Sequence, residues 1–133
     1  MSNGNITLVQ GLYAAFKRGD IAAVVGGMAD DVSWQVNGRA KDYPLFGARK
    51  GRAAVQDFFK LVGETEEATD FSPREYFAIE DKVFALGHYA WKIRKTGKSV
   101  AADFIHAFTI KNSKVTAFRE FTDTAQFAEA YRG

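Results

Sequence analysis

The segment Val100-Ala101-Ala102-Asp103-Phe104-Ile105-His106-Ala107-Phe108-Thr109-Ile110 decides how this chain reads. Alternation of period two lays Val100, Ala102, Phe104, His106, Phe108 and Ile110 on one face of a strand. A row this apolar has to be covered. The one titratable ring in it, His106, is either a hydrogen-bonded core residue or the working group of a pocket. Strands are also expected over Phe71 to Ile79, Val83 to Arg94 and Lys114 to Thr122. Glu80-Asp81, Thr96-Gly97 and Asn112-Ser113 punctuate them as hairpin turns, so the four strands form an antiparallel meander.

Upstream, the pattern changes period. Ile6, Val9, Leu12/Tyr13 and Phe16 recur at helical spacing, which predicts a helix over Ile6 to Arg18 with Gly19 as its stop. Asp20 caps a second short helix, Ile21 to Met28, which Asp30-Asp31 breaks. This stop-and-cap reading accounts for Arg18-Gly19-Asp20 better than an adhesion motif does. Val32 to Val36 reads as a strand with Val32, Trp34 and Val36 on one face. Asn37 to Lys50, with Gly38, Pro44 and Gly47, reads as a loop, either a lid or a plain crossover. Gly51 to Val62 is a third helix, with an apolar stripe of Ala54, Val55, Phe58, Phe59 and Val62. Gly63 to Asp70 is an exposed acidic linker, and Asp123 to Tyr131 is a terminal helix opened by a capping box, Asp123 with Gln126. The order of elements predicts one α+β domain over residues 1–133, with helices across the concave face of a strongly curved mixed or antiparallel sheet. Such a cone encloses a pocket.

Composition narrows the function classes. Twelve phenylalanines in 133 residues suit the wide space between a bent sheet and its helices, or an aromatic pocket. The net charge of +2 is dispersed, and its densest basic cluster is only Arg49, Lys50 and Arg52, which argues against nucleic-acid binding. The absence of cysteine removes disulfides, thiol chemistry and cysteine-ligated zinc. The two histidines, His88 and His106, alternate out of phase, so no metal site and no cofactor are expected. No apolar run is long enough to span a membrane, and the first residues lack a signal-peptide pattern, so a cytoplasmic protein is expected.

Register counting places the pocket residues. A two-residue turn at Thr96-Gly97 sets His106 against Gly87, Phe104 against Tyr89 and Ala102 against Trp91. Gly87 beside His106 then leaves room for a ligand or a water. Tyr89, Trp91, Phe104, Trp34 and Phe118 would form an aromatic wall, the lining that a small hydrophobic ligand needs. Counting from Asn112-Ser113 sets Arg119 opposite His106, and the pocket would then favour an anion. A one-residue bulge in the last strand would bring Glu120 there instead.

The segments Tyr13-Ala14-Ala15-Phe16-Lys17-Arg18-Gly19-Asp20, Ala29-Asp30-Asp31-Val32-Ser33-Trp34 and Gly47-Ala48-Arg49-Lys50-Gly51-Arg52-Ala53-Ala54-Val55 resemble the nuclear transport factor 2-like, ketosteroid isomerase-related superfamily. Phe104 to Ile110 followed by Lys114 to Asp123 resembles its SnoaL-like, polyketide-cyclase-related branch. The fold implied is the cone described above; the superfamily hosts isomerases, cyclases, epoxide hydrolases, dehydratases and binders. Steroid isomerases use an aspartate base, with a tyrosine and a protonated aspartate at the oxyanion. Those positions fall here at Val36, at Leu12 (with Tyr13 one step off the matching face) and at His106, so that mechanism is rejected. The comparison still implies that Val36 and His106 look into the hollow. The cyclase pattern pairs a histidine on the penultimate strand with an acid on the last. It therefore implies His106 and Glu120 as the catalytic pair and favours the bulged register.

Such a pair can take a proton from beside a carbonyl, or deliver one to a developing oxyanion. The expected function is cofactor-independent proton transfer, of isomerase, cyclase or lyase type, on a small hydrophobic carbonyl compound. The alternative is a non-catalytic ligand-binding or dimerising module of the same fold. Epoxide hydrolysis is disfavoured because no Asp-Arg-Asp arrangement is found. His88 and Asp103 are expected to face outward. Phe84, Leu86, Ile105, Ala107 and Phe121 make an outer row apolar enough to predict a homodimer.

Overall fold

A computed structural model describes residues 2–133. The chain runs α1 (Ser2–Lys17), α2 (Ile21–Gly26), β1 (Met28–Val36), β2 (Gly47–Lys50), α3 (Arg52–Thr65), β3 (Glu66–Ile79), β4 (Lys82–Ile93), β5 (Ser99–Lys111), β6 (Lys114–Thr122) and α4 (Thr124–Arg132). The strands form one curved, unclosed sheet in the order β2-β1-β6-β5-β4-β3. The meander β3-β4-β5-β6 is antiparallel throughout. The helical first third of the chain then places β1 parallel to β6, so the sheet is mixed.

Local chemistry explains most element boundaries. Gly19, at φ 77°, ends the α1 turn, and Asp20 accepts from the Ala23 N–H at 3.1 Å to open α2. Asp123 caps α4 through the Gln126 N–H at 3.3 Å. Asn112 and Ser113 both take positive φ, 52° and 62°, as a two-residue hairpin turn matched to strand twist requires.

Four boundaries differ from the expectation. α2 stops at Gly26, and β1 begins at Met28 and runs through Asp30-Asp31 instead of being broken there. Those acids sit on the exposed edge of a strand already held by β6, and Arg52 both pairs with Asp30 at 3.1 Å and donates to the Met28 carbonyl at 2.9 Å. The segment between β1 and α3 includes a strand, β2, paired with β1 from Ser33↔Lys50 to Val36↔Gly47. The acidic linker does not exist as such. α3 continues to Thr65 and β3 starts at once with Glu66, whose side chain is buried while the next four residues are exposed. An edge strand with one side in water carries the same acidic composition as a linker, and composition cannot separate the two.

The β4–β5 register is displaced by two residues from the counted one. His106 faces Ala85, Phe104 faces Gly87, Ala102 faces Tyr89 and Val100 faces Trp91. The chain reverses over Arg94–Gly97, closed by Ile93 N–H to the Lys98 carbonyl (2.8 Å) and Gly97 N–H to the Ile93 carbonyl (2.7 Å). A slip of two preserves every inward face, whereas a slip of one would have inverted them. On the other side, a bulge does occur between Thr109 and Ile110, with the extra residue on β6, and His106 lies opposite Glu120.

The inward row of β5 packs against α1 and α4. Val100, Phe104, Phe108 and Ile110 are all at most 3% exposed. Trp34 stacks on Phe118 with centroids 3.9 Å apart, and Trp34 in turn meets Phe58 and Phe59 of α3. Each large apolar side chain buried this way contributes roughly 1.5–3 kcal/mol. Among the described residues no helix is long and apolar enough to cross a membrane.

Candidate functional site

Between the helices and the concave sheet face lies a cavity of about 100 Å³. Its wall is almost wholly apolar and largely aromatic, including Phe16, Trp34, Phe58, Phe59, Trp91 and Phe127. A space of that size exceeds what one water needs. Five of the residues expected to line a pocket do line it: Trp34, Val36, Tyr89, Trp91 and Phe118, and His106 and Glu120 join them.

His106 is 5% exposed, and both of its ring nitrogens are partnered. Nε2 lies 2.7 Å from Glu120 Oε1, and Nδ1 lies 2.7 Å from the Tyr13 hydroxyl. A carboxylate can only accept, so Nε2 carries the proton it shares with Glu120. In the neutral ring, Nδ1 then accepts from the Tyr13 O–H. Burial, reinforced by Tyr76 and the charge of Glu120, raises the Tyr13 phenol well above its ordinary range, which keeps it a donor. Phe104 stacks on the imidazole from behind, with centroids 4.2 Å apart, and fixes its plane.

Tyr13 corrects the expectation that it falls one step off the matching face. On α1 the sheet-facing row is Val9 and Tyr13, four residues apart and on one side of the helix, and the apolar stripe is wide enough for Leu12 to reach the cavity as well. The spacing from Val9 was the available signal.

Three expected pocket residues lie elsewhere. Gly87 does not make room for a ligand. A Cβ there would sit 2.6 Å from Phe104 Cζ, 2.6 Å from the Ser72 carbonyl oxygen and 2.8 Å from Pro73 Cα, so neighbouring protein already fills the space. Phe104 is 2% exposed and supports His106 without lining the cavity. Arg119 pairs with Ala107 on the outer face; it donates to Gln35 Oε1 at 3.3 Å and lies 5.9 Å from the Phe121 ring centroid. The β6 bulge turns it outward as it turns Glu120 in.

A second polar pair lines the same cavity and was not anticipated. The Tyr43 hydroxyl donates to Glu66 Oε1 at 2.5 Å, and both residues are buried. Burial pushes the Glu66 carboxyl from its ordinary value of 4.5 up to about 8, with Glu120 adding to the rise and the Tyr43 hydrogen bond opposing it. The signal for Tyr43 was the apolar Leu45-Phe46 beside it, which anchors the segment in the core. Glu66 had no local signal. Two further donors on cavity-lining residues, Trp34 Nε1 and Trp91 Nε1, are buried with no partner among the described residues, and the buried Tyr89 hydroxyl lies toward Glu120 and Thr122. Native structures pair the large majority of such groups. On the outer face, His88 Nδ1 lies 2.9 Å from Asp103 Oδ1, clear of this site.

A mixed cone-shaped sheet with helices across its hollow side and a polar group at the bottom defines the NTF2-like class of proteins. The family model of the SnoaL-like domain matches residues 9–118, and the chain belongs to that family. Among solved structures, an NTF2-like protein from Burkholderia xenovorans LB400 is 29% identical, with 98% of each chain covered and a TM-score of 0.89. TerC, co-crystallised with polyporic acid, is 27% identical over 97% of this chain and 98% of its own, with a TM-score of 0.83. A Mesorhizobium loti protein named provisionally as a SnoaL-like polyketide cyclase shares the fold at 20% identity, with 87% and 97% covered and a TM-score of 0.72. No curated protein matches the chain.

Proposed function

We propose that the cavity binds a small, flat hydrophobic carbonyl compound and that His106 and Glu120 transfer a proton on it without a cofactor. The observation that carries this reading is the 2.7 Å His106–Glu120 contact inside a wall that is otherwise nearly all carbon. Both imidazole nitrogens are occupied, so the carboxylate oxygen of Glu120 that His106 does not hold is the acceptor. The substrate C–H breaks, the proton forms an O–H on Glu120, and the electron pair moves into the enolate oxygen. Return of the proton to another atom completes an isomerisation, cyclisation or elimination. His106 holds the carboxylate in place and stabilises it by donation from Nε2. The co-crystallisation of TerC with polyporic acid supports a small-molecule ligand for a protein of this fold.

The competing reading is a binding module, and the completed Tyr13–His106–Glu120 chain favours it to the extent that nothing in it requires turnover. Exchange of the acidic hydrogens of 2-tetralone with deuterated solvent, followed by NMR, separates the two. The enzyme reading expects exchange above the buffer rate that falls roughly 10²–10⁴-fold in Glu120→Gln while 2-tetralone still binds. Binding with no exchange above buffer overturns it in favour of the module.

The partner surface belongs to the same proposal. Ile105 and Phe121, 41% and 39% exposed, are cross-strand neighbours, with Leu86 beside Ile105 and Phe84 next along β4. We assign this outer sheet face to a homodimer contact. Sedimentation equilibrium should give a dimer that becomes monomeric in Ile105→Lys; a monomeric wild type at tens of micromolar overturns the assignment.

A further inference from the structure

The proton-transfer reading leaves the far polar pair without a task. Tyr43 comes from the segment between β1 and β2, and Glu66 is the first residue of β3. Their 2.5 Å hydrogen bond lies on the wall of the cavity that also contains Glu120. A purely structural buried acid is normally matched by a cation. None pairs with Glu66 among the described residues. The nearby guanidinium of Arg94 turns outward, donating to the Gly63 carbonyl at 2.9 Å and pairing with Glu67 at 3.4 Å. The groups that face Glu66 are Tyr43, Tyr89 of β4 and, across the cavity, Glu120 with its partners His106 and Tyr13; Tyr131 of α4 packs on Tyr43. None of these carries a fixed positive charge beside Glu66.

The adjoining strand adds donors. Glu66 pairs with Ile93, and Trp91 and Tyr89 follow it at two-residue steps on the same inward face of β4. Trp91 Nε1–H is a buried donor that lacks a partner among the described residues, while the Tyr89 O–H is directed toward Glu120 and Thr122. This side of the cavity therefore offers an unpaired hydrogen-bond donor on the strand beside Glu66.

We propose that the Tyr43–Glu66 pair is the oxygen-binding end of the cavity, where neutral Glu66 donates its O–H to the carbonyl oxygen of the ligand. Tyr43 occupies Oε1 and leaves the carboxyl's other oxygen to carry that proton. During proton transfer Glu66 keeps its proton and hydrogen-bonds the oxygen that becomes an enolate, while the proton from carbon goes to Glu120. The two carboxyls thus divide the work, one neutral and donating, the other ionised and accepting. The elevated ionisation range of Glu66 is consistent with the neutral form at neutral pH. The inference rests on the cavity binding a carbonyl compound, and its substrate class is a ketone or quinone rather than a hydrocarbon or a carboxylate.

The test compares 2-tetralone with tetralin, which has the same carbon skeleton and no oxygen, by quenching of the cavity tryptophans Trp34 and Trp91. Wild type should bind the ketone about three- to tenfold more tightly at pH 6, the worth of one net hydrogen bond. That preference should fade as pH rises through about 8, where Glu66 loses its proton. Glu66→Gln, which keeps a neutral donor, should retain the preference and hold it flat to pH 9.5. Glu66→Leu should bind both probes alike, with tetralin affinity near that of wild type. A wild-type preference that does not change between pH 6 and 9.5, or one that survives in Glu66→Leu, overturns the proposal and leaves the ligand cavity standing. Binding of neither probe by wild type overturns the cavity reading and this inference together. Should Glu66→Leu fail to fold, the wild-type pH profile and Glu66→Gln decide the matter alone.

Discussion

Two carboxyl groups share one aromatic cavity and differ in their partners. Glu120 sits on β6 beside an imidazole 2.7 Å away, on a strand held by neighbours on both sides. Glu66 sits at the start of the edge strand β3 with only a phenol for company, and the phenol comes from a segment outside the long strands. An imidazole can share or take a proton, so a carboxylate beside it has a partner for its charge. A phenol donates one hydrogen bond, and at Glu66 that does not offset desolvation, which pushes its carboxyl up to about 8. At Glu66, deep burial outweighs the single phenol hydrogen bond.

The largest expected effect tests whether the two ends differ in role. Glu120→Gln should cut deuterium exchange into 2-tetralone roughly 10²–10⁴-fold, and His106→Ala should lower it as well because His106 holds that carboxylate. Glu66→Gln should cut it less than tenfold, since it keeps a donor to the oxygen. Equal losses would erase the distinction between base and oxygen holder.

Stability against pH comes next. The folded chain binds the Glu66 proton more tightly than the unfolded chain does, so this group's contribution is fully present below the ordinary value of 4.5 and is lost as pH rises to about 8. Glu66→Gln removes that loss. It should be more stable than wild type at pH 9, on the order of a few kcal/mol since each pKa unit is worth about 1.4 kcal/mol, and gain nothing at pH 5. Urea denaturation at the two pH values measures this; parallel curves for the two proteins would contradict a buried neutral acid.

The tyrosines give a sharper and smaller contrast. Tyr43→Phe removes the hydrogen bond that favours the Glu66 carboxylate, so the pH at which ketone preference fades should move upward. Tyr13→Phe should leave that pH where it is and lower the exchange rate instead, because Tyr13 bonds only the His106 end. Fluorescence titration reads the first and NMR exchange the second. Last, Ser113→Gly relieves a non-glycine residue at φ 62° and should raise stability by about 0.5–1 kcal/mol, a shift of a few degrees in Tm. It should leave exchange unchanged, because the bulge on β6, and not this turn, brings Glu120 inward.

The legible and illegible parts of the site divide along the same line as the two carboxyls. His106, Trp34, Val36 and Trp91 could be placed on inward faces because strand alternation is a local rule that survives a register error of two. Phe118 and Glu120, which share a face of β6, needed the bulge, an irregularity that local counting does not contain and that the family resemblance suggested. Gly87 was misread because an absent side chain looks like space in a sequence, whereas Phe104 and the β3 backbone occupy it.

The sequence by itself determined the α+β class, the meander, the caps at Asp20 and Asp123 and the inward row around His106, all set by residues within a few positions of one another. Packing of distant segments set the rest: β1 lies parallel against β6, Tyr13 reaches His106 across 93 residues, and Tyr43 finds Glu66 across 23. Backbone periodicity is a local property, but the partner of a buried polar group is whichever donor the packed chain brings within hydrogen-bond reach, and spacing along the chain does not encode it.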